Sequence, residues 1–176
     1  LFYLPASVRD EQGVQLTGQA SAPVGVSSLM PTLLDLAGVP KPATADGDSL
    51  VDAMRGGDAP NGGEVAAAYA LLPEGAGPAH SAMLRWERYK YIFWQPGDQG
   101  QLFDVDADPG ELNDLAAQPA YRGMAAEAHA RLERRLAEYP YGRSEVLNDG
   151  RLAGAPFDPP DNWSPAVRGP WGRRPY

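Results

Sequence analysis

No cysteine occurs in this chain of 176 residues, so disulfides, thiolate metal sites and cysteine nucleophiles are excluded within it. Positive charge is also scarce: 15 Lys and Arg stand against 23 Asp and Glu, for a formal net charge of −8. That balance argues against a nucleic-acid role, which needs a basic footprint. No apolar run approaches the roughly 20 residues that span a membrane. Leu1-Phe2-Tyr3-Leu4 ends at Pro5, too short for the apolar region of a signal peptide. The first residue is leucine rather than methionine, and the chain reads as beginning within a longer protein. Histidine is rare too: His80 and His129 are the only two, and two isolated histidines make no metal site.

Backbone punctuation is abundant. The 20 glycines and 18 prolines are nearly double the usual share of about 12%. Much of the chain is therefore expected as turn and irregular coil, although its length allows one domain with a core. Leu1–Leu4 reads as a short buried strand stopped by Pro5, which has no N–H for a ladder. A helix is predicted from an N-cap at Ser27 or Ser28 through Ala37, with Gly38 as its stop and Pro31 in the tolerant first turn. Leu29, Leu33 and Leu36 share one face, flanked by Met30 and Leu34, which predicts a mostly buried helix. A short helical turn is expected around Ser49–Met54.

From Glu64 the pattern becomes strand-like. Glu64–Leu72, Ser81–Trp86, Tyr89–Trp94 and Gln101–Asp104 are predicted strands, the middle two close enough for a hairpin. Within the third, Tyr89, Tyr91 and Phe93 point to one face while Lys90, Ile92 and Trp94 point to the other. The clearest helix runs from Tyr121 to Tyr139, with Tyr121, Ala125, Ala128, Leu132, Leu136 and Tyr139 in one apolar stripe. Glu127–Arg131 makes a favourable i,i+4 pair, and Pro140 ends the helix. Residues 156–176 form a Pro-rich tail carrying Trp163, Trp171, Arg168, Arg173 and Arg174, residue types enriched at interfaces. Docking on a neighbouring subunit or on the parent domain and disorder both suit it.

Few side chains form a chemical constellation. Asp104, Asp106 and Asp108 alternate like the start of an EF-hand, but Pro109 falls where that loop needs Gly and Leu115 where it needs Glu. Aspartates that end a strand and cap a turn are the better reading. Lys90 suits an anion contact or, more often, a lysine protecting a sheet edge. His80 precedes a strand in a Gly-Pro-Ala loop that suits a substrate entrance, with a proton role open to its imidazole; a lone surface histidine is the commoner outcome. His129, between Ala128 and Ala130, is expected to be partly packed. Glu64, Glu74 and Glu111 have no partner carboxylate at readable spacing, and Glu111 is expected at a helix start, complementing its dipole.

Four segments carry a family resemblance. Val26–Gly38 (VSSLMPTLLDLAG) resembles a sulfatase helix, with Ser28 where the family usually has Asp and Met30 where it has Ala. Asp46–Leu50 (DGDSL) resembles the "DG-x-SL" step that follows it. Arg85–Ile92 (RWERYKYI) resembles the family's hairpin, and Gln101–Leu115 (QLFDVDADPGELNDL) resembles its "LFDL-x-x-DP-x-E-x-x-NLA" segment. They stand in family order, and the later ones are most similar to choline sulfatases and phosphonate monoester hydrolases.

The resemblance implies an alkaline-phosphatase-like α/β parent fold. This chain would be mainly its α+β C-terminal subdomain, a small antiparallel sheet of about four strands packed by one long helix. Residues 1–62 would contribute an edge strand, loops and a buried helix to the parent domain. Residues 63–140 would be the subdomain, with its helix at 121–139, and residues 141–176 the tail. The implied activity is hydrolysis of sulfate esters, with phosphonate or phosphate monoesters as the neighbouring chemistry. It would use a formylglycine made from the Cys or Ser of C/S-x-P-x-R, and a divalent cation, usually calcium.

Neither is encoded here. Ser21-Ala22-Pro23-Val24-Gly25 has Gly where Arg is required, and Ser164-Pro165-Ala166-Val167-Arg168 has its proline one place early. The family's paired aspartates and its Asp-Asn or Asp-His-Gly segment are absent as well. No catalytic or metal residue carries over, and His80 and Lys90 are the candidates for the edge of a substrate pocket. The implied partners are an N-terminal catalytic portion, a small-molecule sulfate ester and, through the tail, a second copy of the chain. A non-catalytic interaction module or a pseudoenzyme derived from the same fold is the alternative.

Overall fold

The computed structural model describes residues 22–71, 79–95, 98–138 and 147–152. The predicted Leu1–Leu4 strand, the Pro96-Gly97 turn, Tyr139 and the tail at 156–176 lie outside the described residues. After a 3-10 turn at Val26–Ser28 comes α1 (Leu29–Leu36). Pro31 sits in its first turn, where a missing N–H costs little. Past the other end Gly38 takes φ 66°, and the Val39 N–H returns to the Leu34 carbonyl at 2.8 Å. This is the left-handed closure glycine favours at a helix end.

Of the predicted face, α1 turns only Leu36 inward. Thr32 is completely buried, together with Ser28, Pro31 and Leu36, whereas Leu29, Met30 and Leu33 are about half exposed. Hydrogen bonding is the reason. Thr32 Oγ1 donates to the Ser28 carbonyl (2.6 Å) and accepts the Leu50 N–H (3.0 Å). A hydroxyl with both roles filled can be buried without a desolvation penalty, and the second bond ties α1 to the short helix α2 (Val51–Met54).

The DGDSL step completes this tie. Ser49 Oγ donates to Asp35 Oδ2 (2.5 Å) and accepts the Val51 N–H (3.1 Å). Asp48 Oδ2 accepts a bond from Asn61 Nδ2 (2.9 Å), and Lys41 Nζ donates to the Gly47 carbonyl (2.7 Å). Gly47 itself has φ 82°, and a Cβ there would run into the backbone oxygen of Ser27. Conformation and close approach both require glycine.

Beyond a turn at Pro60–Gly63 four strands follow: β1 (Val65–Leu71), β2 (Ala79–Trp86), β3 (Tyr89–Trp94) and β4 (Gln99–Asp104). They pair antiparallel in sequential order, their ends within two residues of those predicted. Trp86 faces Tyr89 and Tyr91 faces Leu102 across the ladders. Tyr89, Tyr91 and Phe93 therefore share one sheet face with Ala82, Leu84, Trp86 and Leu102. After a 3-10 turn at Pro119–Tyr121, α3 (Arg122–Glu138) lays Ala128, Leu132 and Leu136 on that face, as its stripe predicts. A sheet this small needs such a cover to be stable in water.

Two details depart from expectation. Arg131 reaches Glu64 rather than Glu127, and its guanidinium lies 5.1 Å from the centroid of the Trp86 ring; a half-buried partner and an aromatic face outcompete a solvated i,i+4 carboxylate. The core also continues past residue 140. β5 (Leu147–Asn148) and β6 (Arg151–Leu152) form a hairpin that buries Leu147 and Leu152 in the main cluster. Its turn residues, Asp149 (φ 49°) and Gly150 (φ 77°), are the left-handed pair that Asp-Gly favours, and that dipeptide is the sequence signal for it. Among the described residues no helix is long and apolar enough to cross a membrane.

Gly38→Ala is expected to cost about 1 kcal/mol, the penalty of a left-handed alanine in open space. Gly47→Ala is expected to cost about 2–4 kcal/mol, because its Cβ also meets backbone. Urea midpoints of the two variants check this; equal midpoints would show that the DGDSL step is not packed on Ser27.

Candidate functional site

The RWERYKYI and QLFDVDADPGELNDL segments meet along one end of the sheet. Arg85 Nη1 donates to the carbonyls of Trp86 (3.0 Å), Tyr89 (3.0 Å) and Glu87. It thereby braces the hairpin in which Glu87 takes a left-handed φ of 41°. Arg88 pairs with Asp104, its Nε donating to Oδ1 at 2.9 Å. The same oxygen accepts the Asp106 and Ala107 N–H groups (3.3 and 3.1 Å). The hydrogen bond from Arg88, helped by these backbone donors, holds the Asp104 carboxyl below the usual aspartate range.

Lys90 Nζ lies 2.8 and 2.7 Å from the two carboxylate oxygens of Glu111. Glu111 is in a turn with φ 52°, not at a helix start as predicted. The turn forms because Asp108 Oδ2 accepts the N–H groups of Leu112 (2.7 Å) and Asn113 (2.8 Å), offering the backbone a local alternative to helix. Asp114 Oδ1 then accepts the N–H groups of Leu102 (3.1 Å) and Ala116 (2.9 Å), and the Leu115 N–H donates to the Leu102 carbonyl (2.8 Å). The aspartates end the strand and cap turns, as expected, and they stitch the loop onto β4. Lys90 protects no edge, since β3 is an inner strand between β2 and β4; its ammonium answers Glu111.

His80 is not on the surface. It lies within β2 opposite Ala70 and is 8% exposed, and its carbonyl accepts the Gln95 N–H at 3.0 Å. By strand alternation it shares the α3 side of the sheet with Ala82 and Leu84, whereas Lys90, opposite Arg85, faces the other side. Five strand residues, roughly 17 Å, separate the two positions. The structure does not bring the two candidates together.

A second polar grouping went unsignalled except by the i,i+4 spacing of His129 and Glu133. Tyr91 Oη is 3.0 Å from His129 Nδ1, His129 Nε2 is 3.5 Å from Glu133 Oε1, and that oxygen accepts the Leu152 N–H at 2.9 Å. The chain of contacts links β3, α3 and β6. A carboxylate only accepts, so in the neutral imidazole Nε2 carries the proton and Nδ1 accepts the tyrosine hydroxyl. Burial, followed by the charges of Asp98, Glu133 and Asp114, pushes the Tyr91 hydroxyl up to about 12. Gly100 leaves room for this hydroxyl, which a Cβ at that position would strike.

An open cleft lies between the start of α1, the DGDSL step and the start of β1, lined in part by Ser27, Asp48, Asn61 and Glu64. Its two carboxylates already have partners, Asp48 in Asn61 and Glu64 in Arg131. Among the described residues no three His, Asp or Glu side chains converge. The side chains described here therefore do not fit a catalytic divalent cation.

The sequential four-stranded antiparallel sheet under one long helix is the arrangement expected of the C-terminal α+β portion of an alkaline-phosphatase-like protein, and solved structures share it. A phosphonate monoester hydrolase from Silicibacter pomeroyi shares the fold at 21% identity, with a TM-score of 0.54 over 69% of this chain and 26% of that one. A 2-O GAG sulfatase shares it at 32% identity, with a TM-score of 0.57 over the same shares of the two chains. Residues 2–138 match the family model of N-sulphoglucosamine sulphohydrolase, C-terminal, and the chain belongs to that sulfatase family. Delta 4,5-hexuronate-2-O-sulfatase from Bacteroides thetaiotaomicron is 34% identical over 112 residues, which is 60% of this chain and 22% of the relative. The chain spans about a fifth of the length of the curated relatives it matches.

Asp114→Ala leaves two backbone donors without their acceptor and is expected to cost about 2–3 kcal/mol; Asp114→Asn, which keeps an oxygen in place, costs less. Urea unfolding of both variants checks the order. For Tyr91, the unfolded chain ionises at its ordinary 10.0 while the folded protein holds the proton to about 12. A raised folded value gives a contribution that is whole below the unfolded value and lost as pH climbs through the folded one. Between those limits the wild type should lose stability faster than Tyr91→Phe in thermal melts, and parallel curves would contradict the shielding of this hydroxyl.

Proposed function

We propose that this chain is the C-terminal region of a sulfatase that hydrolyses the sulfate esters of a carbohydrate, water entering and an alcohol and sulfate leaving. The observation that carries this reading is the match of residues 2–138 to a sulfatase family, over segments whose charged residues hold one another in place. The substrate class follows two of the matches above 30% identity, whose names specify a hexuronate 2-O-sulfate and a 2-O-sulfated GAG. In this family a formylglycine supplies the nucleophile and a divalent cation, usually calcium, polarises the sulfuryl group. In this reading both come from residues upstream of Leu1, and the residues described here supply framework.

The division of the chain belongs to the same proposal, with the subdomain running from residue 63 through the β5–β6 hairpin. The pocket-edge roles of His80 and Lys90 belong to it as well. Because the two lie on opposite sheet faces, a single small ester reaches at most one of them. Contact between two copies through the tail completes the proposal.

The test is to sequence the reading frame upstream of Leu1, express the complete product and measure sulfate release by ion chromatography. The substrates are 4-nitrophenyl sulfate and a 2-O-sulfated unsaturated disaccharide. Release that stops with EDTA, and none from residues 1–176 alone, is expected. Turnover by residues 1–176 alone would overturn the reading. So would a complete product inert on both substrates, which would make the protein a non-catalytic derivative of the fold.

A further inference from the structure

Asn61-Gly62 is the one Asn-Gly pair in the chain, and both residues are exposed in the Pro60–Gly63 turn. Covalent connectivity alone brings an asparagine side chain within reach of the next residue's backbone nitrogen, and glycine shields that nitrogen least. A Cβ built on Gly62 meets nothing within 4 Å, so no neighbour fills the space beside the peptide bond. Asn113, Asn148 and Asn162 are followed by Asp114, Asp149 and Trp163, whose side chains crowd the same approach. Asp46-Gly47 and Asp149-Gly150 share the glycine, but an aspartate must expel water from a carboxyl that is ionised at neutral pH.

We propose that Asn61 is a site of spontaneous deamidation and isoaspartate formation, and that this modification unlatches the DGDSL step from the approach to β1. The Gly62 nitrogen, giving up its proton, bonds to Asn61 Cγ; the Cγ–Nδ2 bond breaks and the amide leaves as ammonia, carrying that proton. Water then opens the cyclic imide at Cγ to give aspartate, or at the backbone carbonyl to give isoaspartate. Ring closure needs Asn61 to leave its present ψ of 30°, and two bonds hold it there. Asn61 Nδ2 donates to Asp48 Oδ2 (2.9 Å), and the Glu64 N–H donates to the Asn61 carbonyl (3.2 Å). Opening of this exposed turn therefore gates the reaction. Either product places a carboxylate where an amide donated to Asp48, so attraction becomes repulsion between like charges. Isoaspartate also lengthens the main chain just before buried Gly63, where an added Cβ would meet that of Ala22 at 3.2 Å. Glu64, the partner of Arg131, follows directly. The change is felt at the joint between the α1 layer and the sheet.

Incubation of the complete product at mildly alkaline pH, followed by peptide mapping and isoaspartyl methyltransferase labelling, tests the site. The peptide holding Asn61 should accumulate acidic and isoaspartyl forms ahead of those holding Asn113 and Asn148. Asn61→Gln, which needs a larger ring, should suppress them. Asp48→Ala removes one latch and should speed the reaction about two- to tenfold, the factor that one net hydrogen bond is worth. Asn61→Asp supplies the first product directly. Its urea midpoint should fall below that of Asn61→Ala, which loses the bond but adds no charge, and salt should narrow the gap. An Asn61 peptide that ages no faster than those of Asn113 and Asn148 overturns the site. An unchanged rate in Asp48→Ala overturns the gating by this turn, and an Asn61→Asp midpoint equal to that of the wild type overturns the unlatching. Sulfate release enters none of these readouts, so the inference stands or falls apart from the sulfatase reading.

Discussion

The turn from Asp104 to Asp114 is fastened to the sheet on both sides, and the packing of the subdomain depends on that attachment. Arg88 and Lys90, two residues apart on the β2–β3 hairpin and β3, reach Asp104 and Glu111, while Asp114 takes the Leu102 N–H from β4. β4 would otherwise present an open row of donors and acceptors, the usual weakness of a sheet edge. With the loop folded over it, the chain arrives at Pro119 positioned to begin α3. Ala128, Leu132 and Leu136 can then cover Leu84, Tyr91 and Leu102. Each charged pair is partly solvated and individually modest. Together with the aspartate caps they determine the path of the ten residues from Val105 to Asp114, which have no regular structure of their own.

A different logic governs the first helix. α1 buries Thr32 beside Leu36 and leaves Leu29 and Leu33 about half exposed, a departure from an ordinary surface helix. Thr32 earns that position by satisfying two backbone groups at once, and Gly47 permits it by letting the DGDSL step approach Ser27 without a side chain between. The subdomain is self-contained around α3, whereas the α1 layer ends in an apolar surface facing outward. That asymmetry matches a chain that spans about a fifth of its relatives.

Much of this was legible in the residues. Period-two alternation from Tyr89 to Trp94 and the four-three spacing from Tyr121 to Leu136 reflect covalent geometry, and both elements stand as those spacings predict. The four sulfatase-like segments lie within the residues that match the sulfatase family. The β5–β6 hairpin had a signal in Asp149-Gly150 that a Pro-rich surrounding obscured. Other features had no local signal. Nothing around Glu111 says that it bends into a left-handed turn to meet Lys90, and nothing around His80 says that it lies inside a strand on the far face from Lys90.

Residue order by itself determined where the strands and the long helix lie, which of their faces are apolar, and which family the chain joins, because those depend on neighbours a few positions apart. Tertiary structure decided which face of α1 is buried, what Lys90 pairs with, and that Tyr91 and His129 meet. Those choices rest on partners 18, 21 and 38 residues away along the chain. A helix with apolar residues on one side and a threonine on the other can pack either way. Only the arrival of the Leu50 N–H at Thr32 makes the polar side the cheaper one to bury.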